Sequence, residues 1–148
     1  MNVERCSETK YLSLVEEGAS LFQNKEYVLA ATCFWKAFRL RPAAPIVLFN
    51  IARTMEELND PKAEDFYAAA GAQGNVDAHY QLAMLCSASG RCDEAIEHLK
   101  AYLKGNPAND SCTQSARNTI RRLCPSPVLV WSKERKLHDQ MQEGRDED

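Results

Sequence analysis

The side chains of this chain that could do chemistry are few and scattered. Six cysteines (Cys6, Cys33, Cys86, Cys92, Cys112, Cys124) and three histidines (His79, His98, His138) are the candidate nucleophiles and metal ligands. No two cysteines have the Cys-x-x-Cys spacing with which a single turn presents two thiolates to zinc. No serine or cysteine sits in a glycine-flanked nucleophile elbow, and neither GxGxxG nor GxxxxGK[ST] occurs to cradle a phosphate. The histidines fall in separate predicted helices. These residues argue against an enzyme, a cofactor or a bound metal, and the thiols read as small apolar groups packed between helices. Cys86 and Cys92 flank one short turn, so oxidation could join them locally.

Composition narrows the partner classes. The 148 residues carry 18 basic and 21 acidic side chains, a net charge of −3. Such a balance lacks the excess of cations that supplies affinity for nucleic-acid phosphates. The opening stretch MNVERCSETKYLSLVEEG is charged throughout, unlike a secretory leader, and nowhere do about 18 apolar residues run together as a membrane span requires. The expectation is a soluble, intracellular, cytoplasmic protein with reduced cysteines and no membrane insertion. A chain of this length buries roughly 70% of its extended surface, enough for one domain with its own core.

The elements that would position any site emerge from internal repetition. Gly18, Tyr27, Ala30, Phe34, Ala37 and Pro42 recur 65 residues later as Ala83, Cys92, Ala95, Leu99, Tyr102 and Pro107. A middle copy carries Ala52, Ala63, Tyr67 and Ala70, with a shorter turn and end. Each copy holds two amphipathic runs of about a dozen residues, a helical length. Polar or breaking stretches, QNKE at 23–26, NDP at 59–61 and SASGR at 87–91, separate the two runs. Small residues at 18, 52 and 83, and at 30, 63 and 95, would let each pair of helices approach closely. Pro42 and Pro107 would follow the second helix of a pair, and Pro61 would stand in a first turn.

Small residue, aromatic, Ala, large apolar residue, Ala and Pro at a period near 34 closely resemble the tetratricopeptide repeat. The stretch FYAAAGAQGNVDAHYQLAMLC in the middle copy is also similar to SEL-one-like repeats. The resemblance covers about residues 11 to 107 and implies an all-α fold, a right-handed superhelix of antiparallel helix pairs. The expected units are a lead-in at 1–10, repeats at 11–44, 45–75 and 76–109, and a capping helix at 110–124 that covers the last apolar face. A further helix is predicted at 126–142, with Ser126 as N-cap and Pro127 at its first position, followed by an acidic disordered tail at 143–148.

In the family the first helix of each repeat lines a concave surface. Carried onto this register, that surface holds Leu12, Val15, Glu16, Ala19 and Phe22, then Ile46, Phe49, Asn50, Arg53 and Glu56, then Asp77, Tyr80, Gln81, Met84 and Ser87. Leu12, Val15, Phe22, Phe49, Tyr80 and Met84 would supply apolar contact; Asn50 and Gln81 could meet a peptide backbone and Arg53 a carboxylate. The resemblance thus implies a non-catalytic scaffold that binds a peptide or helix of another protein in its groove. Its carboxylate clamp for the EEVD tails of heat-shock chaperones is matched only at Asn50. Val15, Ala19, Asp77 and Gln81 occupy the other four clamp positions, and Asp77 would repel a terminal carboxylate, so binding of those tails is not expected. Two alternatives stand beside the scaffold. One is a small chaperone of the type III secretion class, which the chain resembles in size, repeat count and apolar groove; the other is a structural subunit whose groove is filled by its own tail. Val128, Leu129, Val130 and Trp131 form an apolar run that would pack on the preceding helix, enter the groove, or meet a second chain in a homodimer.

Overall fold

The computed structural model describes residues 3–124, and the predicted helix at 126–142, the acidic tail, His138 and the Val128–Trp131 run lie outside that range. The described residues form seven α-helices: α1 (Val3–Gln23), α2 (Tyr27–Leu40), α3 (Pro45–Glu57), α4 (Ala63–Ala72), α5 (Val76–Ala88), α6 (Cys92–Gly105) and α7 (Ser111–Leu123). They divide into two compact units, one ending at Pro107 and the other beginning at Ala108. In the first unit α1 packs on α2, α3 on α4 and α5 on α6, and successive pairs join through α2 with α3 and α4 with α5. α1 starts well before Tyr11, so the lead-in residues from Val3 onward are two further turns of the first helix.

The repeated positions are the ones that make close packing possible. Gly18, Ala52 and Ala83 are buried where the first helix of each pair meets the second. Phe34 lies against Gly18, Tyr67 shares a core cluster with Ala52, and Leu99 holds the same register on α6; the three are 1%, 0% and 0% exposed. A Cβ on Gly18 would fall 2.6 Å from Phe34 Cε1, inside any tolerable contact, so only glycine lets that aromatic ring lie on α1. Ala30, Ala63 and Ala95 are buried from the other side. At the last small-residue register Ala37 and Ala70 give way to Tyr102, whose ring lies 5.2 Å from that of Tyr80 and whose hydroxyl accepts a hydrogen bond from Asn106 at 3.2 Å.

One turn design closes all three pairs. Lys25, Asn59 and Gly90, seven residues after the buried small residue, each have positive φ, at 63°, 56° and 77°. The next amide then donates back across the turn: Glu26 to Leu21 at 2.9 Å, Asp60 to Met55 at 2.8 Å and Arg91 to Cys86 at 2.8 Å. These bonds satisfy carbonyls that a helix end otherwise leaves open. The same device, with Gly74 at φ 98°, links α4 to α5 and explains why the middle copy needs no proline there. Pro45 stands at the start of α3, where its missing amide hydrogen is harmless, whereas Pro61 lies in the turn ahead of α4 rather than inside its first turn.

α7 belongs to the second unit. Asp110 is its N-cap, accepting the Thr113 amide at 2.8 Å, and that bond holds the Asp110 carboxyl below its ordinary pKa. Arg121 and Arg122 sit at its C-terminal end, where cations are favoured.

Candidate functional site

Side chains from α1 and α3 converge at one end of the first unit. The Arg53 guanidinium lies 4.5 Å above the Phe22 ring and 5.9 Å from that of Phe49. Phe22 in turn meets Tyr27 edge-on at 5.2 Å. Between them opens a depression of about 310 Å³ lined by Ala19, Phe22, Gln23, Lys25, Tyr27, Phe34, Asn50 and Arg53. α1 supplies Ala19, Phe22 and Gln23, the left-handed turn supplies Lys25, α2 supplies Tyr27 and Phe34, and one turn of α3 supplies Asn50 and Arg53.

The nearby carboxylates are turned to phenols. Glu56 accepts a hydrogen bond from the buried Tyr67 hydroxyl at 2.6 Å, and burial, reinforced by that carboxylate, drives the Tyr67 pKa far upward. Burial and then the charge and hydrogen bond of Glu57 raise the Tyr27 hydroxyl as well. Among the described residues Arg53 and Lys25 have no ion-pair partner. The site therefore offers two cations and two side-chain amides beside aromatic walls, a chemistry suited to holding polar or anionic groups.

The other residues expected on this surface differ in availability. Leu12 and Ile46 are 50% and 48% exposed, large apolar side chains open to solvent on α1 and α3. Val15 is half-buried against the core formed by α1, α2 and α3. Phe49 is half-buried with its ring 5.7 Å from Tyr67, edge to face, so much of its surface already belongs to the fold. Tyr80 is likewise half-buried against Tyr102. Gln81 and Met84 are half-buried on α5. The structure thus joins Phe22, Asn50 and Arg53 in one place, while it commits Phe49 and Tyr80 to ring packing.

Two groups escaped the sequence reading. Lys25 and Gln23 enter the depression because the α1–α2 turn folds back beside α3, a signal present in the turn register but visible only once its left-handed residue is known. His79 and His98, on different helices, stack with ring centroids 5.8 Å apart. His79 Nδ1 is buried without a hydrogen-bond partner, and burial, followed by the proximity of His98, lowers the His79 pKa below 6.5.

All six cysteines are free thiols, with Cys33 and Cys86 buried and the rest exposed. Burial first, then the nearby Glu17, raises the Cys33 pKa; burial likewise raises that of Cys86. Among the described residues no three His, Cys, Asp or Glu side chains gather as a metal site, and no helix is long and apolar enough to cross a membrane.

No protein-family model matches the sequence, and no curated protein sequence matches it. Solved structures do share its fold. The first tetratricopeptide domain of Spaghetti (RPAP3), bound to the HSP90 peptide SRMEEVD, superposes with a TM-score of 0.67 at 24% identity, covering 78% of this chain and 94% of that one. The tetratricopeptide domain of Arabidopsis OM64 gives 0.70 at 20% identity over 80% and 99% of the two chains. The Yersinia enterocolitica type III secretion chaperone SycD, in complex with a peptide of the translocator YopD, gives 0.68 at 13% identity over 75% and 89%. The chain accordingly has the tetratricopeptide-repeat fold, an all-α solenoid of three helix pairs followed by a seventh helix.

Proposed function

We propose that this protein is a non-catalytic interaction scaffold that holds an extended peptide or short helix of another protein along the surface presented by α1, α3 and α5. The observation that carries the reading is the convergence of Phe22, Asn50 and Arg53 on an open depression, with Leu12 and Ile46 exposed on the same helices. Apolar side chains left half-exposed beside unpaired hydrogen-bonding groups match the anatomy of a peptide site. That proteins of the same fold hold HSP90, HSP70 or YopD peptides supports the reading.

The EEVD tails are not its expected ligands. Val15, Ala19, Asp77 and Gln81 stand where a carboxylate clamp needs cations and an amide, and Asp77 is exposed to meet an incoming carboxylate with like charge.

Photo-crosslinking tests the surface directly. A benzophenone amino acid placed at Leu12 or Ile46 is expected to form protein adducts in cell extract, whereas one at Val28 on α2, 67% exposed, is not. Replacing Leu12 and Ile46 together by Glu should weaken the captured complex by on the order of 2 kcal/mol, about thirtyfold, without loss of helicity. Adducts confined to Val28, or a complex indifferent to both charges, would move the binding surface to the other side of the repeats.

A further inference from the structure

The depression between α1 and α3 is lined by two cations and two side-chain amides and by no carboxylate, and that lining specifies part of the ligand. Arg53 is held in place by its ring contacts with Phe22 and Phe49, at 4.5 and 5.9 Å. A cation–ring contact of this kind consumes none of the guanidinium's N–H donors. Lys25 and the amides of Asn50 and Gln23 line the same space. One turn further along α3, the exposed Glu56 accepts the Tyr67 hydroxyl at 2.6 Å, and neither it nor Glu57 lines the depression. Among the described residues neither cation forms an ion pair.

We propose that this depression receives the carboxylate of one Asp or Glu side chain in the middle of the partner's bound segment. The guanidinium edge of Arg53 accepts it as a fork, Lys25 adds a second charge, and the Asn50 amide donates to a remaining oxygen lone pair. Glu16, Glu56 and Asp77, all exposed, are expected on the rest of the groove and disfavour a run of acidic residues. The specification is therefore one acidic residue with neutral or basic neighbours, unlike an acidic chain terminus. Of the residues that line this pocket, Ala19 and Asn50 coincide with clamp positions, and of those two only Asn50 brings a polar side chain; Arg53, Lys25 and Gln23 lie outside the clamp.

The inference rests on the groove reading, and the test separates the two. Biotinylated nonapeptide libraries with a central Glu, Gln, Lys or phosphoserine and mixed residues elsewhere are passed over the immobilised full chain. The wild type should retain the central-Glu library about tenfold over the central-Gln library, the discrimination expected of a charge-assisted hydrogen-bond pair. With Arg53→Gln the ratio should fall to about one, and with Lys25→Gln to an intermediate value, both variants keeping the wild-type circular dichroism. Equal retention of Glu and Gln by the wild type overturns the proposal, as does a Glu preference that survives Arg53→Gln. Stronger retention of central phosphoserine than of Glu overturns it too, by assigning the site to phosphate. If the Leu12→Glu, Ile46→Glu variant loses all libraries while the wild type shows no acid preference, only the carboxylate inference fails. If the wild type retains none, or the double variant retains them unchanged, the groove reading fails and takes the inference with it.

Discussion

At the scale of single residues, the chain departs from its own repeat where it is most informative. His79 and His98 occupy the register positions that Leu14 and Cys33 fill in the first pair, and Leu48 and Phe66 in the second. With the two imidazoles stacked 5.8 Å apart and the His79 Nδ1 buried and unpaired, placing a proton on His79 costs stability. Burial and the neighbouring His98 hold the His79 pKa below 6.5, so the folded state binds fewer protons than the unfolded chain as pH falls through that value. For a histidine with a depressed pKa, stability is fully present above the unfolded pKa and is lost as pH drops below it. The apparent Tm of the wild type is expected to fall more steeply between about pH 7.5 and pH 5.5 than that of His79→Leu, which restores the residue of the other two copies. Parallel Tm curves from differential scanning fluorimetry would remove His79 from the account.

Helix pairs are held by what their turns allow. The turn inside each of the three helix pairs needs one residue in the left-handed region, and the chain meets that need with Gly90, with Asn59 and with Lys25. Glycine adopts this geometry freely and asparagine tolerates it, whereas a lysine Cβ is crowded there at a cost of roughly 1–2 kcal/mol. Lys25→Gly should therefore raise stability by about 0.5–1 kcal/mol after the added freedom of the unfolded chain is deducted, a Tm increase of about 2 °C. Asn59→Gly should gain less. A urea midpoint for Lys25→Gly at or below that of the wild type would show that the Lys25 side chain makes contacts worth more than the strain.

Across the whole stack, stability depends on contacts between neighbouring pairs. Trp35 on α2 meets Phe66 on α4 edge to face, with centroids 5.4 Å apart, and Phe38 at the same distance on its own helix. Phe66 and Met55 touch both hydrophobic clusters of the first unit. In a solenoid each pair is stabilised by the next, so a cavity at this seam weakens two units together. Phe66→Ala is expected to cost about 2–3 kcal/mol and to shift Trp35 emission to longer wavelength, measured with Trp131→Phe so that one indole reports. Unaltered emission and midpoint would show that the seam is held elsewhere.

What the amino-acid sequence determined is the solenoid itself. The spacing of Gly18, Ala52 and Ala83 against Phe34, Tyr67 and Leu99 specifies which helices pair, because small residues must face large ones wherever two helices approach. Periodicity is a local property, and a repeat states it three times. The chemistry of the surface was less legible. Phe49 and Tyr80 read as free anchors but spend their rings on Tyr67 and Tyr102, since a side chain's availability depends on a neighbour contributed by another helix. Lys25 read as part of a polar turn, and only the left-handed fold-back of that turn brings it beside Arg53. The hydrogen bond from Tyr67 to Glu56, and the lack of an ion pair at Arg53 among the described residues, were decided by tertiary structure alone, because pairing between charges depends on distance in space and repeat spacing records only distance along the chain.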